Sequence, residues 1–268
     1  MEKPLMSIVF AARDTDENLE NSWRSCVNQS YGNKELILVD HGTSDHVKQL
    51  LGDRAEDPIR WISCPNENRS VALNRGIAEA GGEYVLCVQG GQEIHEQWLE
   101  KALELFARSS ADAVRCATMY VDDEKIAMID IPSESASWYR KLLRAPQFEL
   151  HAVMIRRAAC GIFPEDAEGI LAEWEYWLQS LRGKKLFPWG DYIGSVVHAA
   201  KPQFVGQDDA SYRKQLLKIM VSHRDEVRGF GKLGFGFSVR KLYDEYARHV
   251  AAGTVDRDLG LETALGKH

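Results

Sequence analysis

Polar side chains follow four short apolar segments near the start of the chain, and these are the residues with which the sequence could do chemistry. Their carboxylates can accept hydrogen bonds from N–H and O–H groups, and their arginines can bind phosphate through paired N–H groups. The last group carries no charge, and hard divalent cations prefer charged oxygen ligands. The four groups are Ala12-Arg13-Asp14, Asp40-His41-Gly42-Thr43, Asn66-Glu67-Asn68-Arg69-Ser70 and Gln89-Gly90-Gly91-Gln92.

The apolar segments before these groups are predicted to be strands of a parallel sheet. They are rich in β-branched residues and are apolar through most of their length, which is typical of strands buried on both faces. Segments with helical spacing alternate with them, and this order predicts a doubly wound α/β sheet. The predicted strands are 6–12, 35–40, 59–63 and 83–88, and the predicted helices are 16–29, 45–52, 68–80 and 97–109.

The ends of these strands are where a ligand is expected. In an open parallel sheet, ligands bind beyond the carboxyl ends of the strands, where the strand order reverses. No GxGxxG follows the first strand, and no GxxxxGK[S/T] occurs. A dinucleotide-binding fold and a P-loop enzyme are therefore not expected.

The second half of the chain has a different pattern. It predicts a β-hairpin, then a strand, a helix, a mixed segment that ends in a strand, and two tail helices, the last with an apolar stripe. The segments are 112–121 with 125–131, 149–156, 171–181, 185–200, 211–227 and 238–251, and the stripe is Val239, Leu242, Tyr246 and Val250. We expect a domain of residues 1–204 and a C-terminal helical extension of residues 205–268. The stripe could pack within the extension, cover the acceptor-binding cleft or form a homodimer contact.

Composition excludes several classes of protein. The 268 residues carry a net charge of −7, which argues against a general nucleic-acid binder. The chain shows no signal peptide and no apolar run of about 20 residues, so we expect a cytoplasmic protein without a transmembrane segment. Its five cysteines form no CxxC pair, so we expect buried reduced thiols, not a zinc site or a catalytic thiol.

Several motifs together resemble one enzyme family. Residues 7–45, SIVFAARDTDENLENSWRSCVNQSYGNKELILVDHGTSD, resemble the opening of the family 2 glycosyltransferases, which are inverting nucleotide-sugar enzymes of GT-A fold. Ala72, Asn74 and Gly76, followed by Gly82-Glu83-Tyr84, resemble the family's next block. GIFPED…AEWEYWLQSL resembles its acceptor-side motif, and GSVVHAA its late strand ending in His. The resemblance covers residues 5–200 and implies a mixed, mainly parallel sheet flanked by helices.

The resemblance implies a nucleotide-sugar donor, with a UDP-sugar preferred. Asp40 would contact the base or ribose, and Asp14 would help the turn after the first strand to hold the nucleotide. Helix capping is the alternative for both acids. The implied nucleotide-binding residues are Ala12, Arg13, Asp14, Asp40, Asn68, Arg69, Asn74, Gln89, Gly90 and Gly91.

The neutral group after the fourth strand departs from the family. The family has D-x-D there, which holds Mn²⁺ or Mg²⁺ against the diphosphate, whereas this chain has Gln89-Gly90-Gly91. We therefore expect no metal ligands at these positions, with Glu93 as an alternative ligand. Without metal, Arg13 and Arg69 could neutralise the diphosphate, unless they are solvated loop charges. His198 would face the phosphates or metal, or be a satisfied histidine at a strand end.

The acceptor side is the second departure. Inverting transfer needs a carboxylate that takes the proton of the acceptor hydroxyl. Glu173 aligns with the family's acid, four residues before Trp177 of the acceptor-side motif, and Asp166 is its rival. The alternative for Glu173 is an acid that stabilises the start of a helix.

Two functions follow from these motifs. The first is a glycosyltransferase, possibly independent of metal, that acts on a glycan, lipid or small-molecule acceptor. The second is a catalytically degenerate GT-A domain that binds a nucleotide, a glycan or a partner protein. Nucleotidyl transfer is a third and weaker reading, because it also relies on metal.

Overall fold

The chain divides into two units. Residues 1–135 and 148–202 form the first, and residues 136–147 and 203–268 form the second. The sequence predicted one boundary, between residues 204 and 205, and did not separate 136–147. The computed structural model describes residues 3–14, 18–51, 59–132, 138–167, 169–199, 210–223, 239–241, 243–244, 247–248, 250–252 and 258.

The helices and strands alternate along the first unit as the sequence predicts. Its elements are β1 Met6–Ala12, α1 Leu19–Val27, β2 Lys34–Asp40, α2 His46–Leu51, β3 Ile59–Ser63, α3 Arg69–Glu79, β4 Tyr84–Gln89, β5 Gln92–Ile94, α4 Trp98–Arg108, β6 Ala113–Asp122, β7 Lys125–Asp130, β8 Val153–Arg156, α6 Gly169–Ser180 and β9 Leu186–Val197. The second unit contains α5 Trp138–Leu142 and α7 Ala210–Ser222.

One mixed sheet runs through the first unit. Its order is β3-β2-β1-β4-β8-β6-β9-β5, with β7 paired to β6. The four strands β3, β2, β1 and β4 are parallel, and β8 lies antiparallel between β4 and β6. The strand order reverses at β1, since β2 and β4 lie on its two sides. This confirms the predicted α/β class and places the carboxyl ends of the first strands along one edge.

The core forms because the strands and one face of each flanking helix are apolar. Every residue of β1 is buried, and α4 buries Trp98, Leu99, Ala102, Leu105 and Phe106. Close packing of α3 on β1 requires Gly76, because a Cβ there would lie 2.3 Å from a methyl carbon of Val9. All five cysteines are free, and four of them are buried.

Three local features differ from the predictions. The sequence analysis missed the three-residue strand β5 and the five-residue helix α5, because such short elements give little periodic signal. The predicted strand 149–156 is wrong in its first half, where residues 150–152 form a 3-10 turn. Just before that turn, buried Glu149 accepts a hydrogen bond of 3.0 Å from the Tyr120 hydroxyl.

The second unit packs through helical residues of the tail. Leu217 and Val221 of α7 form an apolar cluster with Val239, Tyr243 and Val250. Leu242 and Tyr246 of the predicted stripe, and the segment 229–237, lie outside the described residues. Within the described part of the chain, no helix is long and apolar enough to cross a membrane.

Candidate functional site

The candidate site lies at the carboxyl ends of the parallel strands. In the sheet register, Ala12 at the end of β1 pairs with Asp40 at the end of β2, and Ala11 pairs with Gln89 at the end of β4. Three of the four predicted polar groups therefore begin side by side. Asp40 also pairs with Ser63, the last residue of β3, which brings the remaining group, Asn66–Ser70, to the same edge.

Asp14 connects the loops that follow β1 and β2. Its Oδ2 accepts hydrogen bonds from the Thr43 hydroxyl at 2.8 Å, the Ser44 hydroxyl at 2.9 Å and the Thr43 amide at 3.3 Å. The hydroxyls of Thr43 and Ser44 hold the pKa of Asp14 below its usual range. We call residues 12–14 and 40–45 the β1–β2 edge. Arg13 is exposed within it.

A polar cavity of about 330 Å³ opens beside this edge, a volume within the range of small-molecule sites. The Gly42 amide donates to Asp40 Oδ1 at 3.1 Å. Burial raises the pKa of Asp40 despite that hydrogen bond. The cavity is lined by Asp40, Gly42, Thr43, Ser44, Asp45, Ser63 and Pro65.

Arg69 joins three elements of the first unit, which are α3, β4 and α6. Asn68 caps α3 by accepting from the Val71 amide at 2.9 Å, so Arg69 is the first residue of that helix. Arg69 Nη1 donates to Gln89 Oε1 at the end of β4. Arg69 Nη2 lies 3.1 Å from Glu173 Oε1 of α6. One guanidinium thus contacts both Gln89, at the end of β4, and Glu173, the predicted base.

Glu173 is a buried carboxylate. Its side chain is 2% exposed, and neither of its oxygens has a hydrogen bond of good geometry. In the described part of the chain, Arg69 is the one cation within ion-pair distance of it. Burial raises the pKa of Glu173, and the charge of Arg69 opposes that shift.

Asn68 and Asn74 hold the loop that carries Asp166. Asn68 Nδ2 donates to the Glu165 carbonyl at 2.7 Å. Asn74 donates to the Phe163 carbonyl at 2.9 Å and accepts from the Phe163 amide at 2.8 Å. These side chains were predicted to bind nucleotide, and their amides are occupied by the loop. A nucleotide contact for them stays a prediction. Asp166 itself is exposed. We call Arg69, Asn74 and Glu173 the α3–α6 junction.

His198 and Glu93 contact each other near the end of β9. His198 Nε2 lies 2.7 Å from Glu93 Oε1. His198 was predicted to face phosphate or metal, and Glu93 was the alternative metal ligand. No group of three or more His, Cys, Asp or Glu residues in the described ranges is arranged to hold a metal ion. The metal dependence of the protein stays a prediction.

Trp177 and Gln92 are both buried near the candidate site residues in the sequence. Trp177, predicted on the acceptor side, is buried and packs edge-on against Phe148 and Tyr176. Its contact with an acceptor stays a prediction, and its packing can position α6. Gln92, the last residue of the polar group after β4, was given no binding role from the sequence. It is 2% exposed, and neither polar atom of its amide has a hydrogen-bond partner. Its place on the missed strand β5 explains the omission.

Comparison with known families agrees with this architecture. Residues 7–160 match the family model described as "Glycosyl transferase family 2". Since the match spans more than half of the chain, the protein belongs to the family 2 glycosyltransferases.

Curated relatives are similar over part of their length. The chain is 26% identical over 160 residues to an uncharacterized glycosyltransferase of Haemophilus influenzae, which covers 59% of this chain and 64% of the relative. It is 28% identical over 120 residues to the cholesterol galactosyltransferase of Borreliella burgdorferi, which covers 43% of this chain and 33% of the relative. The chain thus spans less than two thirds of either relative.

Solved structures share the fold. S. aureus TarS 1-349 in complex with UDP-GlcNAc has a TM-score of 0.63 at 12% identity, covering 97% of this chain and 79% of that chain. The mannosyltransferase PcManGT from Pyrobaculum calidifontis, in complex with GDP-Man and Mn²⁺, has a TM-score of 0.58 at 15% identity, covering 99% and 79%. The chain has the GT-A fold.

Proposed function

We propose that the protein transfers a sugar from a nucleotide-diphosphate sugar to an acceptor hydroxyl, with inversion and without a divalent cation. The observation that carries this proposal is the contact of Arg69 with Gln89, at the strand end where the family has its metal-binding acids. Membership of family 2 supports the reaction class. A glycan, a lipid or a small molecule could supply the acceptor hydroxyl.

Charge neutralisation is the reason for giving Arg69 this role. The leaving nucleoside diphosphate gains negative charge as its bond to the anomeric carbon breaks, and a fixed cation stabilises that charge. A guanidinium remains protonated and presents paired N–H groups to phosphate oxygens. The Gln89 carbonyl already accepts from Arg69, and Gly90 and Gly91 have no side chains, so these residues do not fit Mn²⁺ or Mg²⁺. Arg13, exposed on the β1–β2 edge, is the second candidate cation.

The cavity beside Asp40 is the proposed site of the nucleoside. An ionised Asp40 can accept hydrogen bonds from uracil N3–H or from ribose hydroxyls. The fold of TarS, solved with UDP-GlcNAc, favours a UDP-sugar. PcManGT shares the fold and is solved with GDP-Man, so a GDP-sugar is the donor to test beside a UDP-sugar.

The base is proposed to be Glu173, with Asp166 as the rival. Glu173 matches the family's acid in the sequence, and its raised pKa suits a group that accepts a proton. Asp166 is exposed on a loop held by Asn68 and Asn74. Slow hydrolysis of the donor distinguishes them: Glu173→Gln should abolish it and Asp166→Asn should retain it. The reverse result would assign the base to Asp166.

A thermal-shift screen tests the proposal. UDP-, GDP- and dTDP-sugars are added to the protein with Mn²⁺ or with EDTA, and the unfolding temperature is measured. Stabilisation by a nucleotide sugar that persists in EDTA is the expected result. Stabilisation that requires Mn²⁺ would remove the metal-independent part of the proposal, and no stabilisation by any donor would contradict donor binding.

A binding domain without catalysis is the second candidate function. The burial of Glu173 under Arg69 favours it, because the carboxylate is covered for as long as that ion pair holds. Mass spectrometry of a donor incubated with the protein separates the two functions. A donor that binds but remains intact after prolonged incubation, with candidate acceptors present, would favour the binding domain.

A further inference from the structure

Arg69 is shared between two protein groups, and a donor would add a third. Its Nη1 donates to Gln89, and its Nη2 is paired with Glu173 at 3.1 Å. The Arg69 side chain is 24% exposed, so a ligand can approach it. A diphosphate at the ends of β1 and β4 would therefore meet a cation whose charge already balances a buried carboxylate.

The surroundings of Glu173 contain no replacement cation in the described part of the chain. Besides burial, Cys160 and Glu173 raise the pKa of Cys87 of β4, and Cys160 and Cys87 raise the pKa of Tyr176 of α6. Burial raises the pKa of Cys87 and of Tyr176 well above their usual values, so both stay neutral. Arg69 is thus the group on which an ionised Glu173 depends.

We infer that the diphosphate of a bound donor competes with Glu173 for the guanidinium of Arg69, so that donor binding is coupled to proton uptake by Glu173. The inference rests on the proposed function, because it requires a diphosphate in this cleft. Phosphate oxygens draw the guanidinium from Glu173, and a buried carboxylate without its cation takes a proton from solvent. When the nucleoside diphosphate leaves, Arg69 returns and the proton is released.

The coupling gives Glu173 a different state in each complex. Without donor, Arg69 lies against the carboxylate and favours its ionised form. With donor, the carboxyl group loses that partner, and the fraction that remains ionised is a stronger base because its proton affinity has risen. Only the ionised fraction of Glu173 can take the proton of the acceptor hydroxyl, so proton uptake from solvent lowers the share of donor complexes that are ready for transfer.

Titration calorimetry of the wild-type chain tests the coupling without any variant. UDP is titrated into the protein above pH 7, where its terminal phosphate, with a second pKa of about 6, is largely ionised, in pairs of buffers with different ionisation enthalpies. Uridine is titrated in the same way as a ligand without phosphate. The expected result is net proton uptake with UDP and none with uridine.

Two matched variants on α6 locate the proton. Glu173→Gln should abolish the uptake and tighten UDP binding by about five- to tenfold, because the competitor for Arg69 has lost its charge. Glu175→Gln makes the same change two residues along the helix and should leave uptake and affinity at wild-type values. Circular dichroism checks that both variants are folded.

The outcomes separate this inference from the proposed function. If UDP binds without proton uptake, if uptake persists in Glu173→Gln, or if that variant binds UDP more weakly, Glu173 does not compete for Arg69 and the inference alone is overturned. If neither UDP nor any nucleotide sugar binds, the proposed function fails and the inference fails with it.

Discussion

Asp14 and Glu173 are both carboxylates of the candidate site, and the structure holds them in opposite ways. Asp14, in the β1–β2 edge, accepts three hydrogen bonds from Thr43 and Ser44, and these hold its pKa low. Glu173, in the α3–α6 junction, is buried with one ion-pair contact, and burial raises its pKa. Asp14 is held by neutral hydroxyl and amide donors of one neighbouring loop, whereas Glu173 depends on a single cation from α3.

This contrast suggests different purposes for the two regions. A carboxylate with several neutral donors stays ionised whatever binds nearby, which suits a fixed frame for a ligand. A buried carboxylate with one cation changes its charge when that cation is engaged elsewhere, which suits a responsive group. The following predictions test whether the regions differ in this way.

Removal of Arg69 should have the largest effect on stability. Arg69→Met leaves Glu173 buried without a counter-ion and should lower the free energy of unfolding by about 3–5 kcal/mol, measured by urea denaturation at pH 7. Arg75→Met is the control on the same helix. Arg75 makes an exposed contact of 3.5 Å with Glu67, and its loss should cost less than about 1 kcal/mol.

A double variant sharpens that result. Arg69→Met combined with Glu173→Met removes both charges and should recover most of the stability lost in Arg69→Met, because apolar side chains can replace a buried ion pair. If Arg69→Met and Arg75→Met lower the free energy of unfolding equally, the ion pair of Glu173 with Arg69 contributes no more to stability than the exposed contact of Arg75.

Removal of the Asn74 side-chain amide should have the next largest effect on stability. Asn74→Ala removes two hydrogen bonds to the backbone of Phe163, at 2.9 and 2.8 Å, and should cost about 1–3 kcal/mol of unfolding free energy. Faster proteolysis of the loop at 163–167 should accompany the loss. Asn21→Ala, at an exposed position of α1, should change stability by less than about 0.5 kcal/mol. A similar cost in both variants would show that Asn74 does not hold the loop.

The effect of Glu173 on the pH dependence of stability should be smaller than the effects of these substitutions, and its sign is defined. A carboxyl group whose pKa is raised from 4.5 on folding contributes stability at low pH, and that contribution is lost as the pH rises through the folded pKa. Urea denaturation from pH 4.5 to pH 8 should show wild-type stability falling relative to Glu173→Gln. Parallel curves for the two proteins would mean that burial does not perturb this carboxyl group.

Asp14 should show the opposite and smallest pH effect. Its pKa is lowered from 3.8, so its contribution is present above that value and is lost as the pH falls through the folded pKa. The stability difference between wild type and Asp14→Asn should therefore shrink in acid, as measured by urea denaturation from pH 6 to pH 3. Since Asp14 is solvent-accessible, this difference is expected to be slight at all pH values. A difference that grows in acid would contradict the lowered pKa.

Much of the fold could be predicted because its strands are local apolar runs. The segment 59–63 is a strand with those bounds, and the predicted hairpin of 112–121 and 125–131 is present as β6 and β7. The short strand β5 could not be predicted, since a three-residue strand is defined by its partner β9. The 3-10 turn at 150–152 was missed because Leu150 and Ala152 extend the apolar segment that continues into β8.

By itself, the sequence determined the family, the parallel half of the sheet and the strand ends at which polar residues collect. It could do so because buried strands and the turns after them are specified by neighbouring residues. Only the tertiary structure decided that Arg69 joins Gln89 to Glu173, that Asn74 holds the Asp166 loop and that Trp177 is buried. Those contacts join residues far apart in the chain, and the burial that perturbs Glu173 exists only once α3, β4 and α6 have packed together.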